Sequence, residues 1–203
     1  MKIIKPSVQL LWLTPYAEQV IEIAGRTCYK SEELITEDSS SAFIKRILKQ
    51  GHESVIEHAS ASFRIICDRG VSHELVRHRI ASYSQESTRY CDYSKDKFRK
   101  EITVIEPPDL TPEQKDIWET GARRAEIYYH ILIARGCTPQ IARSVLPNCL
   151  KTEIVVTCNL REWRHILRLR TSDKAHSQIK EVCLMILESL KDLCPSVFID
   201  FYL

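Results

Sequence analysis

The chain has 203 residues, a formal net charge of +2, and 44% hydrophobic against 28% charged side chains. That length supplies one sizeable hydrophobic core, so residues 1–203 are read as a single domain. The composition excludes a disordered chain, the near-balanced charge argues against a general nucleic-acid binder, and no apolar run is long enough to span a bilayer.

Met1-Lys2-Ile3-Ile4-Lys5-Pro6 has neither the apolar stretch nor the cleavage site of a signal peptide. Thr14-Pro15 predicts a helix start capped by the hydroxyl, with Ala17, Val20, Ile21 and Ala24 facing the core. Phe43, Ile44, Ile47 and Leu48 mark a second helix, closed by Gly51. From Ala59 to Asp68, Ala59, Ala61, Phe63, Ile65 and Cys67 alternate with polar residues, the pattern of a half-buried strand. Ser72 is placed to cap a short helix through Arg79, followed by a hydroxyl-rich loop from Ser82 to Arg89.

Ile102 to Ile105 predicts a strand stopped by Pro107-Pro108. Thr111-Pro112 opens a long helix closed by Gly136, and Thr138-Pro139 a short one ended by Pro147. Glu153 to Thr157 favours a strand, and Asn159 caps the next helix near Glu162. In the last helix Ile179, Val182, Cys183, Ile186, Leu187, Leu190 and Leu193 share one face. The fold class is α+β: a mixed, mainly helical domain around a small, mostly antiparallel sheet. Neither a dinucleotide-binding nor a P-loop glycine pattern is present.

Eight cysteines stand singly at Cys28, Cys67, Cys91, Cys137, Cys149, Cys158, Cys183 and Cys194, with no C-x-x-C. That spacing gives no zinc ribbon or redox pair; the expectation is reduced thiols in a cytoplasmic protein. His52 and His58 are six residues apart, and Ile56 occupies the place where H-E-x-x-H needs its second imidazole. No metal is expected.

Arg77-His78-Arg79, then Ser87 after seven residues, then Arg89, is the densest chemical stretch. Guanidiniums crowded in this way repel unless an anion lies among them, and their planar forks suit phosphate or carboxylate. An arbitrary arginine cluster is more often a solvated basic face. On the helix after Asn159, Arg161, Arg164, His165 and Arg168 form a basic stripe, while Arg170 shares the inward face of Leu160, Trp163 and Leu167. A buried arginine requires an acidic partner or an anionic ligand. Arg143, amid Ile141, Ala142 and Val145, reads as a core-edge ion pair. On these residues three readings stand: an anion-binding enzyme, a single-strand-binding module with Tyr83, Tyr90 and Tyr93 stacking bases, and an oligomer whose arginines bridge subunits.

Together these places resemble the flavin-dependent thymidylate synthase family. The R-H-R-x7-S signature stands as Arg77-His78-Arg79…Ser87, with S-H-E-L-V before it and T-R-Y after. G-H-E-S-V-I-E-H, I-A-R-S-V-L-P and the stretch from Asn159 through L-R-T-S…A-H-S-Q follow the family order. The resemblance implies conversion of dUMP to dTMP with 5,10-methylenetetrahydrofolate as carbon donor and FAD, reduced by NADPH, as hydride carrier. It implies a homotetramer with active sites at subunit interfaces, no enzyme nucleophile, and no nucleic-acid or membrane partner. By matched position, Ser54, Arg77, His78, Arg79, Gln85, Asn159, Arg161 and His165 correspond to flavin contacts. Glu74, Leu75, Val76, Arg77, Gln85, Glu86, Ser87, Thr88, Arg89, Arg143 and Arg170 correspond to nucleotide contacts, with Arg170 catalytic. Gln85 stands where some relatives carry Glu, and His165 where some carry Asn.

Overall fold

The structure, a computed structural model, describes residues 1–201; residues 202 and 203 of the predicted domain lie outside the described residues. In chain order the elements are β1 (Lys2–Ile4), β2 (Ser7–Leu13), α1 (Ala17–Tyr29), α2 (Ser39–Lys49), β3 (Ser60–Asp68), α3 (Arg69–Leu75) and β4 (Ser82–Gln85). There follow β5 (Thr103–Ile105), α4 (Pro112–Ala134), α5 (Pro139–Ala142), β6 (Lys151–Asn159), α6 (Leu160–Arg170) and α7 (Ser177–Leu193). Strands β1 and β5 pair in parallel, Lys2 opposite Thr103, and a four-stranded sheet runs in the order β2-β3-β6-β4. The larger sheet is antiparallel, because strand ends meet strand starts: Thr14 N donates to Ser60 O, Ser62 Oγ bonds Thr157 Oγ1, and Glu86 N donates to Glu153 O. Mixed α+β architecture is thus as the sequence predicts.

Two compact units emerge, each discontinuous in sequence. Unit 1 comprises residues 1–7, 65–77 and 84–154; unit 2 comprises 8–64, 78–83 and 155–203.

Unit 1 packs Tyr93, Ile102, Val104, Ala122, Tyr129, Ala142 and Leu150 into one cluster. Helix α4 begins as predicted, with a reciprocal capping box between Thr111 and Gln114, and ends before Gly136 at φ 89°. The helix at the signature differs from the prediction. Asp68, not Ser72, caps α3 by accepting from Val71 N at 2.7 Å. A carboxylate held at N-cap starts the helix four residues early, and it ends at Leu75. Arg77, His78 and Arg79 therefore lie beyond the helix, which the sequence predicts to run through Arg79. The predicted loop at Ser82 is also corrected: residues 82–85 are strand β4.

In unit 2, α1 packs on α2 and α6 on α7. A Cβ on Gly25 would lie 2.4 Å from the Phe43 ring, so α1 and α2 approach closely only because Gly25 has none. Thr14 does not cap α1; its hydroxyl bridges the backbone of Ser60, and α1 starts at Ala17 after a left-handed Tyr16. Trp163 anchors α6, donating Nε1–H to the Ala61 carbonyl at 3.1 Å and meeting Phe63 edge-on. The predicted face of α7 is buried from Ile179 to Leu190, but Leu193 in its last turn is exposed.

Candidate functional site

In unit 2, Arg170 closes α6 and donates its Nε proton to His78 Nε2 at 3.1 Å. The Tyr83 hydroxyl, bonded to the His78 carbonyl at 2.7 Å, ties down the segment that carries His78. Burial, then the positive charges of Arg170 and His165, lowers the His78 pKa from 6.5 to about 4. His78 is neutral at physiological pH, and because Nε2 accepts from Arg170 its proton sits on Nδ1. Glu162 Oε1 lies 3.9 Å from that nitrogen, and burial holds the Glu162 carboxyl above its ordinary pKa against the pull of His165.

Ligand atoms of His78, Glu162 and His165 lie within 4.8 Å of one another, the one such grouping of metal-ligating side chains among the described residues. The Arg170 bond works against a metal there, since the Nδ1 proton removes the lone pair on the Glu162 side.

Around the exposed face of α6 a cavity of about 460 Å³ is lined by Glu53, Glu57, Ile80, Asn159, Arg161, Glu162, His165 and Arg168. Asn159 sits at the N-cap of α6, accepting from Glu162 N at 2.8 Å. Arg161 pairs with Glu57, and Arg168 with Glu53 at 3.2 Å. Its lining mixes two guanidiniums, an imidazole and an amide with three carboxylates and exposed Ile80, and each guanidinium is paired with a carboxylate, so an anionic ligand there would compete with Glu53 and Glu57. Ser54 is exposed on the 3-10 turn Glu53–His58 and does not line this cavity.

The basic stripe predicted on α6 is corrected at Arg164. It is 1% exposed, and its two Nη atoms hold Asp200 at 2.7 Å each while Nη1 also donates to the Val197 carbonyl. Arg164 is thus the fully buried, ion-paired arginine of α6, while Arg170, expected to be buried, is half-buried and bonded to His78. Arg164 lies four residues after Leu160 and three before Leu167, so it shares their inward arc.

In unit 1, a second cavity of about 300 Å³ is lined by Arg69, His73, Thr88, Arg143, Ser144, Leu146, Pro147, Asn148 and Leu150. Arg143 is exposed rather than an ion-paired core edge, and its Nη1 donates to Thr88 Oγ1 at 3.2 Å. Arg69 is held there by its backbone N–H, bonded to the Asn148 carbonyl at 3.0 Å. Two guanidiniums, an imidazole and hydroxyls make a pocket for a small anion.

Gln85 is half-buried in β4, bonded to Ser72 and Thr152. The Glu86 carboxylate is engaged by Lys151 Nζ at 2.7 Å and by the Tyr93 hydroxyl. Leu75 is fully buried, which leaves only its backbone for contact, whereas Val76 is exposed. Ser87 Oγ accepts from Arg89 N in a turn, and Arg89 lies over the Tyr90 ring. Arg77 in unit 1 and Arg79 in unit 2 are exposed.

Unit 2 thus brings together His78, Asn159, Arg161, His165 and Arg170 of the predicted residues; unit 1 brings together Thr88 and Arg143. Glu53, Glu57, Glu162, Arg168, Arg69 and His73 also line these cavities; the sequence named Arg168 only as part of the basic stripe and Glu162 only at the helix cap, and assigned none of the six to a ligand. Glu53 and Glu57 stand within G-H-E-S-V-I-E-H, but Arg69 offers no signal beyond following the cap residue Asp68.

Residues 9–196 match the family described as thymidylate synthase complementing protein. A flavin-dependent thymidylate synthase of Geobacter sulfurreducens is 36% identical over 200 residues, 95% of this chain and 85% of that protein. The chain belongs to the flavin-dependent thymidylate synthase family. Another member, from Mycobacterium avium, is 38% identical over 90% of this chain and 78% of its own length. The fold is shared with a UMP/dUMP methylase, PolB of Streptomyces cacaoi, solved with 5-Br dUMP bound: TM-score 0.81, 98% of this chain and 95% of that one, at 22% identity. Within this family the matched span contains the whole R-H-R-x7-S signature and both cavities. No helix among the described residues is long and apolar enough to cross a membrane.

Proposed function

We propose that this chain, acting as one domain over residues 1–203, is a cytoplasmic flavin-dependent thymidylate synthase of dTMP biosynthesis. It reductively methylates dUMP with 5,10-methylenetetrahydrofolate as carbon donor and FAD, reduced by NADPH, as redox cofactor. The observation that carries the reading, beside family membership, is the neutral His78 that accepts from Arg170.

A guanidinium favours loss of a proton from the group it faces, because the resulting anion gains a desolvated positive partner. Arg170 would face the uracil ring and stabilise its N3 anion, which loads electron density onto C5. His78 fixes the guanidinium plane through Nε without adding a competing positive charge. Arg143, with Arg69 and His73 beside it, would hold the nucleotide phosphate. Glu74, Leu75, Val76, Arg77, Gln85, Ser87, Thr88 and Arg89 would complete the nucleotide site, Leu75 by backbone. Asn159, Arg161, His165 and Ser54, with His78, Arg77, Arg79 and Gln85, would hold the flavin. Bound flavin supplies the hydride that completes the methyl group.

No thiol nucleophile is needed, and four of the thiols are poorly suited to be one. Burial pushes Cys158 well above its ordinary pKa and Cys194 up to about 12, and raises Cys91 and Cys149. Exposed Arg77 and Arg79 fit active sites completed by other subunits of a homotetramer.

The test is product analysis: purified protein with dUMP, methylenetetrahydrofolate and NADPH should form dTMP, and flavin should co-purify. A colourless protein that makes no dTMP yet binds single-stranded RNA with steep salt dependence would refute the proposal in favour of a nucleic-acid module.

A further inference from the structure

The Gln85 carboxamide has both amide protons engaged: Nε2 donates to Ser72 Oγ at 2.8 Å and to Thr152 Oγ1 at 3.1 Å. Ser72 and Thr152 are buried, so water does not compete for either hydroxyl. The proton of Ser72 is already committed, since Oγ donates to the Arg69 carbonyl at 2.9 Å. Its oxygen therefore offers only lone pairs toward Gln85, and the amide nitrogen, not the oxygen, must face it. Flipping the amide would set Oε1 against an oxygen with no proton to give, a buried mismatch. Among the described residues no hydrogen bond reaches Oε1.

We infer that Ser72 and Thr152 are positioning residues that lock Gln85 with Oε1 presented as an acceptor, so that the site reads a hydrogen-bond donor on its ligand there. The inference rests on the nucleotide reading above. The donor is then an imide N–H of neutral uracil or a ribose O–H, the only such groups a deoxyuridine nucleotide carries. A carboxylate at position 85 would turn two acceptors toward the same hydroxyls and draw the Ser72 proton off the Arg69 carbonyl. The lock thus matches the amide in this chain and works against the acid found in some relatives.

The experiment compares kcat and KM for dUMP in Ser72→Ala, Thr152→Val and Thr152→Ser, with flavin loading and circular dichroism as checks on folding. Thr152→Val and Ser72→Ala should each raise KM for dUMP about five- to tenfold, the worth of one misdirected hydrogen bond, with kcat within about twofold. Thr152→Ser keeps the hydroxyl and should restore the wild-type KM, which loss of packing alone would not allow. Repeating the binding measurement with 2′,3′-dideoxyuridine monophosphate identifies the donor: the penalty vanishes if a ribose hydroxyl is read, and persists if the imide is. An unchanged KM in a folded Thr152→Val protein that turns over dUMP, or a Thr152→Ser as poor as Thr152→Val, would overturn the lock alone. A wild-type protein that neither binds dUMP nor forms dTMP would overturn the functional reading and, with it, the donor assigned here.

Discussion

Arg170 reaches His78 through Nε, across 3.1 Å, and His78 answers as a neutral acceptor. The pair sets a guanidinium at the end of a helix in a fixed plane, with an imidazole that contributes orientation rather than charge. In the proposed chemistry Arg170 carries the electrostatic work and His78 the geometry.

Arg170→Ala should lower dTMP formation by at least about a hundredfold, the usual loss when one charge-stabilising donor is removed from a reacting group. Flavin absorbance of the purified protein should be retained. A variant that turns over normally would remove Arg170 from the ionisation step.

The His78 pKa makes a pH statement. In the unfolded chain this histidine takes up a proton near pH 6.5; in the folded protein it does so only near pH 4. The unfolded state binds more protons between those values, so this group's contribution to stability is complete above pH 6.5 and lost as pH falls toward 4. The loss amounts to about 3 kcal/mol. His78→Gln keeps an acceptor without titrating, and urea unfolding at pH 7 and pH 4.5 should show a smaller drop for it than for wild type.

Arg164 is buried against Asp200, and that pairing holds the Asp200 carboxyl below its ordinary pKa against its own burial. Asp200→Ala should destabilise by up to about 3 kcal/mol because it leaves the buried Arg164 only Glu53, at 3.6 Å, and the Val197 carbonyl, and Arg164→Met added to it should recover most of that loss. Denaturant midpoints of the single and double variants measure the difference. Equal midpoints for Asp200→Ala and wild type would show the pair to be dispensable.

Arg143 and Arg69 line one cavity with Thr88 and His73. Arg143→Ala and Arg69→Ala should each raise KM for dUMP about tenfold or more, with a smaller effect on deoxyuridine, which lacks the phosphate. A penalty equal for both compounds would mean the cavity does not hold the phosphate.

Much of the fold was legible because local signals acted alone. Thr111-Pro112 and Gly136 bracket α4 with chemistry contained in single turns, and the alternation in β3 survives in part: Phe63, Ile65 and Cys67 are buried against an exposed Arg64, but Ser62 and Asp68 are buried too. The errors fall where two local signals compete or the deciding partner is remote. Asp68 and Ser72 can both cap, and the carboxylate wins at the earlier position. Ser82 to Gln85 reads as a loop from its hydroxyls, yet pairing beside β6 makes it a strand. Thr14 has a better use for its hydroxyl on Ser60 than on its own helix.

The same distinction applies to the site. The sequence named His78, Asn159, Arg161, His165 and Arg143 through the family resemblance, whose segments stand in order along the chain, and not through spacing, which by itself reads Arg143 as a core-edge ion pair. The burial of Arg164 depends on Asp200, thirty-six residues away, and no periodicity within α6 could point to that partner. Nor could it show that Glu86 is taken by Lys151, or that Ser72 has spent its proton on Arg69.

The most direct test of the central claim is an anaerobic single turnover followed by flavin absorbance and product analysis. Protein with its flavin reduced, mixed with dUMP and methylenetetrahydrofolate, should regain the oxidised-flavin spectrum as dTMP appears in equal amount. Flavin that stays reduced with both substrates bound, or dTMP formed with no change in the flavin, would contradict it.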